Sequence, residues 1–279
     1  MIRLLQIEFQ KIWKNKASRI LTISYFVILS FIALIASIKF NIGNFELRIA
    51  EQGIFNFPYI WHFNTYIAAI LKLFLAIVIV SMMANEYTYG TLKQNLIDGL
   101  SKKEFILSKF LTVLVFSVGS TIFVFIMSLL LGLSFSSYNE IGIIFSDLEY
   151  ILAYFLKLTA FFSFCLFLGI LVKRSAFAIG FLFVWNIIEG IIIGVMKWRI
   201  FKNSDTADTI AQFLPLESMS NLIKEPFTRL SVIKNIEETI GGVPNVKDYG
   251  VHWYTMLIAI AWIVIFVLMS YKILQKRDL

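Results

Sequence analysis

Three ionisable side chains interrupt long apolar runs: Lys72, Lys157 and Glu189, the last with Asn186 one helical turn before it. Counted from the nearer ends of their runs, Lys157 and Glu189 each lie about eight residues in, roughly 12 Å at 1.5 Å per residue. Charge at that depth faces a bundle interior and takes a partner. The set offers an ion pair between Glu189 and Lys157 or Lys72, acting as structural glue, a gate or a proton relay. The alternative for Lys72 is an ammonium that snorkels outward. Other sets offer less. Cys165 has no second cysteine, so neither a disulfide nor a cysteine metal site is expected, and it reads as a small packing residue. His62 and His252 fall beside Tyr59 and Trp61 and beside Trp253 and Tyr254, in what reads as an interfacial aromatic belt. Neither is expected to be catalytic or to hold a metal. An intramembrane enzyme needs a buried nucleophile or histidine with a partner, and a channel needs a charged ring or pore-lining repeat; neither pattern stands out.

The elements that must position these residues follow from composition. With 59% hydrophobic and 15% charged residues and a mean hydropathy of +0.80, no soluble fold could bury this chain. A bilayer core about 30 Å thick needs roughly 20 apolar residues per helix. Six segments meet that, 19–40, 63–84, 105–133, 149–172, 176–196 and 253–273, and their unbroken apolar character excludes barrel strands. The expected fold is an all-α integral membrane protein of one domain with six transmembrane helices. Arg3, Lys11, Lys14, Lys16 and Arg19, then Lys93, Lys102, Lys103 and Lys109, then Lys173 and Arg174, and finally Lys272, Lys276 and Arg277 all fall on one side of it. That side is read as cytoplasmic, with both termini there. The connection 197–252, on the other side, carries as many acidic as basic residues. The net charge of +7 is accordingly a topology signal and not one for nucleic acid. The first apolar run is too long for a signal-peptide core and is expected to stay as an anchor. All four prolines lie in outer connections, so no span is expected to need a proline kink.

Local patterns add detail. Ile2, Leu5, Phe9, Ile12 and Trp13 recur at helical spacing opposite Arg3, Gln10, Lys11 and Lys14, so residues 1–18 read as an interfacial amphipathic helix or as a basic flank that sets orientation. Between the second and third spans, Thr91 and Gln94 have the spacing of a capping box, Leu92, Leu96 and Leu100 share one face, and Gly99 can end a helix in a left-handed conformation. Ser101 and Glu104 form a second capping box that opens the third span. Residues 85–104 thus spell a short amphipathic helix, a tight break and a fresh start. Gly190 and Gly194 form a G-x-x-x-G pair that permits a close helix crossing. Ile210 to Phe227 is amphipathic and proline-bounded, suited to re-entering the membrane or to packing at the surface.

The run Glu86-Tyr87-Thr88-Tyr89-Gly90-Thr91-Leu92, followed by Ser101-Lys102-Lys103-Glu104 and Ser108-Lys109, resembles the signature after the second span in permease subunits of ATP-binding-cassette exporters of the type-2 family. There the pattern reads E-x-x-x-G-T-L, then S-R/K-x-E and a lysine. The likeness of layout extends over the whole chain, from Ile2-Arg3-Leu4-Leu5 through Pro215-Leu216-Glu217 to Lys276-Arg277-Asp278-Leu279, while the motif itself covers about 25 residues. Gly99-Leu100 departs from it, since many relatives place a proline there. The resemblance implies a non-catalytic membrane subunit whose cytoplasmic coupling helix sits in a groove of a separate ATPase. The positions implied are Glu86, Tyr87, Gly90, Thr91, Leu92 and Leu96: Glu86 to pair with a basic group of the partner, Gly90 for a close approach, the leucines to fill an apolar groove. No Gly-Lys dipeptide occurs, so the chain lacks a phosphate-binding P-loop, and ATP and Mg belong on the partner. Two ATPase copies imply two membrane subunits, as a homodimer or a heterodimer, in the bacterial cytoplasmic membrane and in contact with lipid. A lipid-like or amphipathic cargo, drugs and peptides included, suits an interface rich in phenylalanine. The rival reading is a proton-coupled secondary transporter using Lys72, Lys157 and Glu189, although matching broken helices in two halves are lacking.

Overall fold

The computed structural model of the protein describes residues 2–37, 40–42, 45–47, 53–138, 140–201, 205–229 and 248–277. The architecture is an all-α bundle. Its long helices are α2 (Lys16–Ser37), α3 (Tyr59–Ile70) with α4 (Lys72–Thr88), α6 (Lys102–Phe135), α8 (Glu149–Val172), α9 (Ser175–Val195) and α12 (Trp253–Gln275). Shorter elements join them: α1 (Ile2–Lys14), α5 (Thr91–Ile97), α7 (Ile141–Ile144), α10 (Asp205–Ala211) and α11 (Pro215–Ser220). Two three-residue strands, β1 (Phe40–Ile42) and β2 (Phe45–Leu47), pair antiparallel and are the small exception to the helical pattern among the described residues.

Among the described residues, five helices are long and apolar enough to cross a membrane, and α3 with α4 gives a sixth span bent by 44°. That bend, at Leu71, contains no proline, in keeping with the expectation that no span needs a proline kink, but the bend itself was not foreseen. The Leu71 amide returns to the Ala68 carbonyl, a tightened last turn in place of the regular i to i−4 bond, and this breaks the helix axis.

Helix α8 stands at the centre, packed against α3, α4, α6, α9 and α12 and buried on nearly every face. In contrast α2, α9 and α12 expose most of their apolar side chains, as helices facing lipid or another subunit must. A Cβ on Gly169 of α8 would lie 2.9 Å from the Cβ of Met83 of α4, so glycine there permits the close α4–α8 crossing. Among the described residues Gly190 and Gly194 play no such part, because no other element comes within 4 Å of where their Cβ atoms would be. Inside the bundle the hydroxyls of Tyr25, Ser120 and Tyr154 bond to one another, Tyr25 to Tyr154 at 2.7 Å, tying α2, α6 and α8. A buried hydroxyl in an apolar core needs such a partner.

At the end of the bundle away from the termini, the indole of Trp61 donates to the Ile144 carbonyl at 2.8 Å. Arg229 donates to Nδ1 of His62, so the ring carries its proton on Nε2 and donates it to the Lys224 carbonyl at 2.8 Å. The belt expected from sequence is therefore only partly a surface: Trp61 and His62 are fully buried, while Tyr59, Trp253 and Tyr254 are exposed. His252 stays near the surface and pairs with Asp248 at 2.7 Å. In the connection before the last helix, α11 tucks Pro215, Ser218 and Met219 against α8, α9 and α12. Residues 230–247 of that connection, Pro244 among them, lie outside the described residues.

Candidate functional site

The segment singled out by its polarity folds as a short lever on a buried charged root. Gly90 caps α5 in the left-handed region, at φ +67°, a conformation that glycine adopts without penalty. Gly99, at φ +96°, reverses the chain after α5. The Ser101 hydroxyl accepts from the Glu104 amide while the Glu104 carboxylate accepts from the Ser101 amide at 3.0 Å, the expected capping box at the start of α6. The other expected box does not form. Gly90, and not Thr91, occupies the cap, and the Thr91 hydroxyl instead donates to Glu86 at 2.5 Å.

Glu86 is the centre of the root and is only 2% exposed. Its Oε1 accepts from Lys109 at 2.5 Å and from Lys11 at 2.8 Å. Lys109, wholly buried on α6, also donates to Glu8 of α1 at 2.6 Å, and Lys11 reaches Glu8 at 3.4 Å. Two carboxylates and two ammonium groups from α1, α4 and α6 thus close a charge-balanced cluster, the arrangement that burial of ions demands. Burial works against the Lys11 ammonium, but its hydrogen bond to Glu86 and the charges of Glu8 and Glu86 outweigh that and hold its pKa above the usual lysine value. The expected contact of Glu86 with a basic group on another protein is corrected here, because its carboxylate is spent inside the chain.

The leucines are corrected in the same sense. Leu92 is buried, and Leu96 and Leu100 pack against the chain's own core. What α5 presents outward is Lys93, Gln94, Ile97 and Asp98, with Tyr89 just before it; Ile97 is 70% and Tyr89 72% exposed. Tyr87 turns to the C-terminal segment, where Arg277 donates to its hydroxyl at 2.9 Å and to the Leu171 carbonyl at 3.0 Å, covering the end of α8. The N-terminal helix joins the same assembly: Phe9 stacks on Phe116 of α6 and Ile12 is buried, whereas Ile2 and Trp13 stay exposed. Sequence periodicity placed Lys11 on the polar side and did not foresee that it and Glu8 turn inward to the cluster.

The intramembrane charges are not brought together as expected. Glu189 accepts from the Trp185 indole at 2.6 Å and from the amides of Leu216 and Glu217 at 3.0 and 3.1 Å, so it anchors the start of α11 rather than pairing with a lysine. Lys157 donates to the carbonyls of Ser220 and Ile223, and Lys72 lies over the Phe161 ring at 4.6 Å from its centroid. Asn186 lines a cavity shared with both lysines.

Six apolar spans, one of them a buried central helix packed by the others, with a rooted polar segment between the second and third, define a multi-pass helical membrane protein. Residues 2–279 match the family described as ABC-2 family transporter protein, and the chain belongs to that family. It is also similar to the uncharacterized protein YhcI of Bacillus subtilis (strain 168), at 23% identity over 222 residues, which span 74% of this chain and 64% of that protein. The chain thus matches less than two thirds of that relative's length.

Proposed function

We propose that this chain is the membrane subunit of an ATP-driven exporter in a bacterial cytoplasmic membrane, with its termini in the cytoplasm and ATP hydrolysed, with Mg, on a separate subunit. The observation that carries this is the build of α5: an outward face of Lys93, Gln94, Ile97 and Asp98 on a root locked to α1, α4 and α6 by buried ion pairs. A lever pushed on that face transmits displacement to three helices at once, which is what coupling requires. Tyr89 and Ile97 supply apolar anchors and Lys93 and Asp98 a polar rim. Coupling therefore runs through Glu86 and Gly90 as structural elements, with contact made by the side chains beyond them.

A second permease copy, the same chain or a sister, fits the exposed face of α9, where Gly190 and Gly194 stand open. Helix α1 lies in the interface with Ile2 and Trp13 toward lipid. The cargo is lipid-like or amphipathic. A proton relay through Glu189 and the lysines has no geometric support, since Glu189 is bound to Trp185 and α11.

The test is to purify the tagged chain from its native membrane in mild detergent and to measure vanadate-sensitive ATP hydrolysis, alongside a Tyr89→Ala, Ile97→Asp double variant. Hydrolysis is expected to co-purify with the wild type and to be lost from the variant at unchanged yield of folded chain. A well-folded wild type with no associated ATPase would overturn the proposal.

A further inference from the structure

Between α4, α8, α9 and α11 lies a cavity of about 320 Å³ whose charges, unlike those at the root of α5, do not balance. Lys72 and Lys157 both line it, with Asn186 on one side and Phe161, Leu182 and Phe183 as apolar wall. Lys157 is only 4% exposed and has two backbone carbonyls as partners, at 3.3 and 3.4 Å, while among the described residues no carboxylate bonds to it and Glu217 acts on it only through its charge. Lys72 has the face of Phe161 and, among the described residues, no carboxylate partner. The two nearby carboxylates are engaged elsewhere: Glu189 with Trp185 and the α11 amides, Glu217 with Asn221. Two cations sharing one partly apolar cavity repel each other, and in low-dielectric surroundings that repulsion and the loss of hydration are both large. An anionic oxygen group placed between them removes both penalties. Phe183, Leu73 and Ile70 at the cavity are exposed on the outside of the bundle, so a chain or ring attached to the anion has apolar surface to follow.

We infer that this cavity binds an anionic amphiphile, its phosphate or carboxylate held by Lys72 and Lys157 and its apolar part lying along Leu73 and Phe183. This concerns binding and stands independently of the transport reading.

Native mass spectrometry of the full chain in detergent, titrated with phosphatidylglycerol, phosphatidylcholine or inorganic phosphate, tests it. Phosphatidylglycerol is expected to be retained as a single adduct about tenfold more tightly than phosphatidylcholine, the scale of one charge-assisted hydrogen bond. That preference is expected to vanish in Lys72→Met, a side chain with no hydrogen bond whose loss leaves packing intact, and in Lys157→Met. Equal retention of the two lipids by the wild type, or an undiminished preference in folded Lys72→Met, overturns the inference. Competition by inorganic phosphate with the same lysine dependence reassigns the site to soluble phosphate and overturns the amphiphile.

Discussion

Two of the places where the described residues bury ionisable groups treat them in opposite ways. At the root of α5, Glu8, Glu86, Lys11 and Lys109 neutralise one another through contacts of 2.5 to 3.4 Å. In the cavity beside α9, Lys72 and Lys157 meet rings and carbonyls but, among the described residues, bond to no carboxylate. A closed cluster holds helices in register, because any one member removed leaves the others desolvated and unpaired. An open pair adds nothing to stability and stays available to a ligand. On the two proposals made above, the first region transmits force and the second receives charge.

The largest effect expected from this contrast is at Lys109. Lys109→Met leaves two carboxylates with only the half-exposed Lys11, and is expected to lower unfolding stability by about 3–5 kcal/mol. Denaturant unfolding in detergent reads this, and combining it with Glu86→Gln should recover part of the loss, as for any coupled pair. A loss near zero would mean that the cluster is not the clasp described here. Smaller and of opposite sense is the effect at Lys72. Lys72→Met removes an uncompensated cation and is expected to leave stability unchanged or raised in the same assay; a clear loss would erase the distinction between the regions. Smallest is a pH effect at Lys11. Its folded pKa lies above the unfolded value, so its contribution is complete below the ordinary lysine pKa of 10.5 and is lost as pH rises through the folded value. Protease sensitivity of α1 is expected to increase only on that alkaline side, and Lys11→Met should abolish the pH dependence.

What could be read from the sequence was local. The Ser101–Glu104 box joins residues three apart and depends on nothing distant, so it formed as expected. The six spans were legible because the bilayer's thickness sets their length. The partners of Glu86 lie 23 and 75 positions away, and only packing decides them. Thr91 illustrates the competition: its hydroxyl had a local amide within reach but bonds to the buried carboxylate of Glu86, a charged and therefore stronger acceptor. Glu189 escaped in the same way, since the amides that satisfy it belong to a six-residue helix with too little pattern to be foreseen. The bend at Leu71 carried neither proline nor glycine to announce it.

Helix α8 has a consequence of its own. Its 24 residues span about 36 Å at 1.5 Å per residue, with Tyr154 in the hydroxyl cluster, Lys157 on the cavity and its last carbonyls held by Arg277. A rod sheathed on nearly every side cannot swing without breaking its sheath, which gives it the geometry of an axle. Helices that move against it are expected to slide along its length, carrying the hydroxyl cluster and the cavity past a common fixed line.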